Sequence, residues 1–300
     1  MRGHLVPQPP RPTMLESPEQ PQKGGPMTEK LLLINDLAGY GKVALGAMMP
    51  VLTHMGYDLY TLPTALVSNT LDYGKFEILD TTDYIEHTLA VWKELGFSFD
   101  AVATGFITND RQAQLVADFC ATQHEAGVPV FVDPIMGDEG HLYNGIARSA
   151  IDHMRRLVAT ADVAIPNYTE ACLLTGAPYA GKQGMEEREV MRLVDCLRRL
   201  CPRSVVITSA FVEGRPAVIG YDHERDEHFT ISFEEIPVRF PGTGDVFSSV
   251  LMGKKLAGRT LEDATACAMH VVKDLIRANQ HATDTFKGIP LERYLGSINR

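Results

Sequence analysis

Long apolar runs are missing from this chain: no stretch could cross a bilayer as a helix, so a helical membrane protein is not expected. Positive charge is scarce as well. Lys and Arg number 28 against 38 Asp and Glu, a formal net charge of -10. A nucleic-acid binder carries a basic face, so no nucleic-acid partner is expected. The five cysteines, Cys120, Cys172, Cys196, Cys201 and Cys267, form no C-x-x-C pair and follow no regular spacing. That argues against a disulfide framework or a thiolate metal site and suits reduced thiols in a cytoplasmic protein. The histidines show no metal-ligand spacing, and there is no internal repeat. The first residues lack the apolar core of a signal peptide.

What is present is a globular composition, 45% hydrophobic and 22% charged over 300 residues. Residues 1–26 are proline-rich and without apolar periodicity, and are expected to be a disordered extension. Residues 27–300 then form the folded domain. Within it, short apolar runs alternate with helical patterns. Strands are expected at Lys30–Asn35, Tyr57–Leu66, Ala101–Gly105, Pro129–Asp133, Ala161–Pro166 and Ser204–Thr208. Helices are expected at Val43–Met55, Asp83–Leu95, Asp110–Glu125, Glu186–Leu200, Asp245–Leu256 and Leu261–Asn279, several stopped by glycine. Pro216–Tyr221 and His228–Phe233 read as a pair joined by a charged turn. The alternation predicts an α/β fold, a mostly parallel sheet covered by helices on both faces. Ligands in such sheets bind beyond the carboxyl ends of the strands. Asp36, Gly105, Asp133 and Asn167 should therefore share one edge.

The chain is organised around Phe240-Pro241-Gly242-Thr243-Gly244-Asp245. A loop with two glycines meets a helix start, where backbone N–H groups have no partner and the helix dipole is positive. The N–H groups of Gly242, Thr243 and Gly244 can converge on an anion, typically phosphate. Asp245 beside them would repel that anion unless a carboxylate is needed to take a proton. The plain alternative is a helix with an acidic first turn. Gly39-Tyr40-Gly41-Lys42-Val43-Ala44 matches a dinucleotide fingerprint, but the loop before it is long and no acid ends the second strand at Thr64-Ala65-Leu66. A P-loop fails because Val43 stands where Ser or Thr is required. Asn167 and Glu170 have the spacing of a capping box. Yet Asp133, Asp138 and Glu170 all fall on the expected ligand edge. Carboxylates gathered there suit Mg²⁺ shared with phosphate oxygens.

Taken together, P-G-T-G-D near the C-terminus, N-x-x-E after a strand and D-P-x-x-G-D in mid-chain resemble the ribokinase superfamily of small-molecule kinases. Ile34-Asn35-Asp36 running to Tyr40-Gly41, Ser68-Asn69-Thr70 leading to Tyr73-Gly74-Lys75, and Thr104-Gly105-Phe106 resemble its pyridoxal/pyridoxamine (vitamin B6) kinase branch. The likeness runs from about Lys30 to Asn279. It implies a three-layer α/β/α ribokinase-like domain and an ATP-dependent kinase acting on the 5′-hydroxymethyl group of pyridoxal, pyridoxamine or pyridoxine. By that resemblance Asp245 is the catalytic base and Gly242, Thr243 and Gly244 the anion hole. Asp133 and Glu170 organise Mg²⁺. Asp138, Asn167 and Thr208 lie along the ATP phosphates, and Ile236 and Val238 flank the adenine. Asp36, Thr64, Tyr73 and Phe106 surround the pyridine ring. A monovalent cation is a further candidate cofactor, and a homodimer is the expected assembly. Many B6 kinases carry serine and histidine where Asp36 and Leu37 stand, and tyrosine where Phe106 stands. An acid at Asp36 suits a ring bearing an amine or a protonated nitrogen, either pyridoxamine or the hydroxymethylpyrimidine of thiamine synthesis. A sugar or nucleoside kinase, and a binding protein that keeps the fold without turnover, are the other readings.

Overall fold

The computed structural model describes residues 29–201 and 203–298. The extension expected at residues 1–26 lies outside the described residues. The chain runs β1 (Lys30–Tyr40), α1 (Leu45–His54), β2 (Asp58–Asn69), β3 (Ile78–Asp80), α2 (Thr82–Leu95), β4 (Ala101–Thr104), α3 (Asp110–Glu125) and β5 (Val130–Val132). A small hairpin, β6 (Gly137–Asp138) and β7 (His141–Leu142), precedes α4 (Ala150–Val158), β8 (Val163–Ala164), α5 (Tyr168–Thr175) and α6 (Glu187–Arg198). The chain closes with β9 (Ser204–Val212), β10 (Arg215–Asp222), β11 (Glu227–Ser232), α7 (Thr243–Leu256) and α8 (Leu261–Asn279).

Nine strands form one sheet in the order β11-β10-β9-β8-β5-β4-β1-β2-β3. From β9 to β2 neighbouring strands are parallel, and the antiparallel partners β3, β10 and β11 lie at the edges. The apolar run of β1 explains why the sheet is central. Strand side chains alternate between faces, so Leu32 and Ile34 enter one core with α3, α4 and α6, while Leu31 and Leu33 enter another with α1, α7 and α8. A strand buried on both faces must be apolar throughout. Truncating one of these leucines to alanine costs about 2–5 kcal/mol. The expected α/β/α layering is what the chain adopts.

The structure differs from the sequence reading in instructive places. β1 does not stop at Asn35 but continues to Tyr40, with a register irregularity between Asn35 and Leu37. Beyond that point β4 has ended, and only β2 pairs with it. β1, β2 and the short β3 thus form an arm projecting past the sheet. Its side chains are half-solvated, Leu66 43% and Leu79 60% exposed, so the arm carries no continuous apolar signal. Gly39 and Tyr40 belong to this strand, which removes the tight turn that a dinucleotide fingerprint needs. Helix α4 was not expected, although Ile151, Met154, Leu157 and Val158 are buried at helical spacing.

Candidate active site

Helix α7 begins with a glycine that nothing else could replace. Gly242 has φ 85, and a Cβ there would lie 2.0 Å from the Lys42 carbonyl oxygen. The first helical bond runs from the Val246 N–H to the Gly242 carbonyl. The N–H groups of residues 242–245 are therefore the four that a helix leaves without internal partners, and the cap residue, a glycine, has no side chain to bond them. Gly244 is exposed, with open space where its Cβ would be. These N–H groups belong to the turn that the sequence reading offered to an anion.

Asp245 is buried, and the N–H of Ala44 donates to its Oδ2 at 2.8 Å. Ala44 takes a left-handed φ of 47 to present that N–H. Burial pushes the Asp245 carboxyl up to about 6, while the Ala44 N–H and the Asn35 amide restrain the rise. Asn35 was not singled out from sequence. Its amide oxygen accepts from the N–H groups of Asp36 and Phe106, at 3.0 and 2.8 Å. Gly105 makes room for it, since a Cβ there would lie 2.5 Å from that amide.

Carboxylates continue on either side of Asp245. Burial, then the Asp245 charge, pushes Asp36 up to about 7. The same causes in the same order raise Asp133 to about 7. Glu170 is raised well above its ordinary range by burial and then by Asp133. The chain Asp36, Asp245, Asp133, Glu170 is a line of acids, each feeling the next, and it calls for a counter-charge.

Asn167 and Glu170 do form a capping box at the head of α5. Glu170 does more than cap. Its Oε2 accepts from the Asn167 N–H at 2.8 Å, and its Oε1 from the N–H groups of Met136 and Gly137 at 3.0 and 3.4 Å. With both oxygens occupied, it suits a hydrated cation rather than direct ligation. Asp133 accepts from the Ser248 hydroxyl through Oδ2 at 2.7 Å, and among the described residues its Oδ1 accepts no hydrogen bond. Among the described residues no group of three or more His, Cys, Asp or Glu side chains is arranged to hold an ion. Asp133 with Glu170 behind it is too few ligands for an all-protein cage but fits Mg²⁺, which keeps several waters and takes its remaining ligands from phosphate oxygens.

A pocket of about 750 Å³, counting its open mouth, lies between the arm, the strand ends and α7. Asp36, Phe106, Gly242 and Asp245 line it. Thr64 does not: it is fully buried in β2, where its carbonyl accepts from the Gln112 side chain at 2.8 Å. Tyr73 stands outside as well, edge-on to Phe286 with its hydroxyl 3.0 Å from Asp284. Asp72, Tyr143 and Arg239, which the sequence reading missed, do line the pocket. Asp138 lies in the β6–β7 hairpin, and the Asn167 amide donates to the Gly137 carbonyl there at 2.7 Å. Thr208 bridges to Asn167 at the same strand edge. Ile236 and Val238 are half-buried in the β11–α7 connection, outside the pocket walls.

A doubly covered parallel sheet with a buried acid beside an open helix N-terminus, at the carboxyl edge, defines a phosphotransferase of the ribokinase-like fold. Residues 49–289 match the family model described as phosphomethylpyrimidine kinase, and the chain belongs to that family. It is 26% identical over 273 residues to the pyridoxine/pyridoxal/pyridoxamine kinase of Bordetella pertussis, covering 87% of this chain and 93% of that one. A Bacteroides thetaiotaomicron protein, provisionally assigned as a phosphomethylpyrimidine kinase and crystallised with pyridoxal, superposes with a TM-score of 0.86 at 33% identity, over 91% of this chain and 96% of that one. Pyridoxal kinase from Lactobacillus plantarum superposes at 0.79 and 28% identity, over 90% and 96%. No helix among the described residues is long and apolar enough to cross a membrane.

Proposed function

We propose that this chain is an ATP-dependent kinase that phosphorylates the 5′-hydroxymethyl group of a vitamin B6 vitamer. The observation that carries the reading is Asp245, a buried carboxylate that both walls the pocket and stands in the first turn of an uncapped helix. A hydroxymethyl group in the pocket can give its proton to Asp245 while its oxygen attacks a phosphoryl group held at the turn. The N–H groups of Gly242, Thr243 and Gly244 stabilise charge on that phosphoryl group. Asp36 faces the ring, with Phe106 beside it. Asn167, Thr208 and Asp138 flank the donor phosphates, and Ile236 and Val238 the adenine. Asp133, directly, and Glu170, through water, hold the Mg²⁺ that neutralises the donor's phosphates. The kinship with B6 kinases supports the substrate class. Five free thiols suit a cytoplasmic enzyme.

The family's own description keeps hydroxymethylpyrimidine as the second acceptor. ATP consumption against pyridoxal, pyridoxamine, pyridoxine, hydroxymethylpyrimidine and ribose decides the matter. Turnover with a B6 vitamer above all others is expected. Preference for hydroxymethylpyrimidine would move the chain to the thiamine branch, and no turnover at all would make it a binding protein. A homodimer belongs to the same proposal, since exposed Leu66 and Leu79 offer apolar surface on the arm. Light scattering should give twice the chain mass.

A further inference from the structure

The pocket has an electrostatic deficit. Asp36, Asp72 and Asp245 line it, and among its described lining residues Arg239 is the one Lys or Arg. The nearby Lys42 ammonium is paired with Glu292 instead. A polyanionic phosphoryl donor must come to this place, and charge must be compensated as the phosphoryl group moves. We propose that Arg239 binds the transferred phosphoryl group and that Asp72 is its positioning residue. This rests on the kinase reading above.

The placement supports it. Arg239 lies three residues before the glycine that opens the anion turn, and Pro241 and Gly242 share its pocket wall. Phe240 between them is buried, and its carbonyl accepts from the Thr243 hydroxyl at 3.1 Å, so the backbone carrying Arg239 is pinned to the head of α7. The guanidinium lines the pocket, is half-exposed, and is paired with Asp72, whose side chain is only 17% exposed. Its charge also reaches Asp138 and the Tyr143 phenol, on the side where the donor phosphates are placed. A guanidinium has five donors in a rigid fork, so the pair with Asp72 leaves donors for a phosphoryl oxygen. Asp72 belongs to the turn Leu71–Tyr73 that joins β2 to β3 within the arm. It aims the fork and keeps it from swinging into water.

A purely structural ion pair between the arm and the α7 loop would affect folding, not the recognition of one phosphate. Calorimetry on the full chain separates the two, using ADP and the β,γ-imido analogue of ATP, each with Mg²⁺. In Arg239→Met the analogue should bind about tenfold or more weakly, the effect of losing a charge-assisted hydrogen bond, while ADP stays within about twofold. Arg239→Lys should recover part of the loss, because a point charge replaces the fork. Asp72→Asn should move the same ratio in the same direction by less. Equal losses for both nucleotides, or no loss for either, overturn the assignment. If Arg239→Met fails to fold by circular dichroism, the Arg239→Lys ratio decides. A wild-type chain that turns over no vitamer sinks the substrate reading, and the nucleotide ratio still judges Arg239.

Discussion

Asp245 serves two opposed demands. As a base it must be ionised, and burial resists ionisation, so its carboxyl titrates near 6. Turnover should therefore fall as pH drops through about 6, and Asp245→Asn should fold yet lose a factor of about 10²–10⁴ in rate. The stability consequence has the opposite sign. The folded carboxyls of Asp36, Asp133 and Asp245 are raised above their ordinary 3.8. The native state then holds protons that the unfolded chain has released. Its advantage is complete below about 4 and is lost as pH rises through about 6 to 7. Asp245→Asn removes one charge from that line, so its melting temperature should exceed that of wild type at pH 8 and match it near pH 4. Scanning calorimetry at the two pH values reads this directly. Asp36 titrates near 7, so a preference for an aminated vitamer should strengthen from pH 6 to 8. Asp36→Ser should shift kcat/KM ratios among vitamers about tenfold, and unchanged ratios would take Asp36 out of recognition. Asp36 and Asp245 could be picked out because one follows a continuous apolar run and the other opens an apolar helical pattern after two glycines. Arg239 was not, because a lone cation in a loop has no periodicity, and its partner Asp72 is distant in sequence.

At the scale of elements, the anion turn and the α5 cap make separable predictions. Gly242→Ala forces a Cβ against the Lys42 carbonyl at a positive φ, and the variant should lose both stability and activity. Gly244→Ala meets open space. Alanine there should hold or raise stability by up to about 0.5–1 kcal/mol, yet weaken nucleotide binding by crowding the turn. Parallel melts and ATP titrations distinguish the pair. Glu170→Gln keeps the shape of the cap but sets an amide NH₂ against a backbone N–H, since both carboxylate oxygens accept. A cost of about 1–3 kcal/mol together with a raised Mg²⁺ requirement is expected. A lowered melting temperature with an unchanged Mg²⁺ titration would reduce Glu170 to a cap. The capping box could be read from Asn167-x-x-Glu170, because capping is local. The second grip of Glu170, on Met136 and Gly137, could not, because it is tertiary. Long elements such as α3 and α8 matched their expected spans because periodicity accumulates with length. The two-residue strands β6 and β7 offered none.

Over the whole molecule, the site is assembled from both ends of the domain. The first strand supplies Asn35, Asp36 and the approach to Ala44, and α7 supplies Asp245. Thr64, assigned to the ring only by family resemblance, is fully buried in β2, and its hydroxyl has no hydrogen-bond partner among the described residues. The loop before α1 is braced from far along the chain. The Lys42 N–H donates to the Lys287 carbonyl at 2.8 Å, and the Thr70 hydroxyl donates to the Phe286 carbonyl at 2.7 Å. Gly288 lies so close that a Cβ would be 2.8 Å from the Lys42 oxygen. The consequence reaches biosynthesis: a nascent chain exposed only as far as residue 279 carries the sheet and α8 but not the 286–288 contacts on Lys42 and Thr70. A variant cut after Asn279 should therefore keep the circular dichroism of the sheet and helices and lose most of its turnover, and full activity in that variant would show the brace to be dispensable.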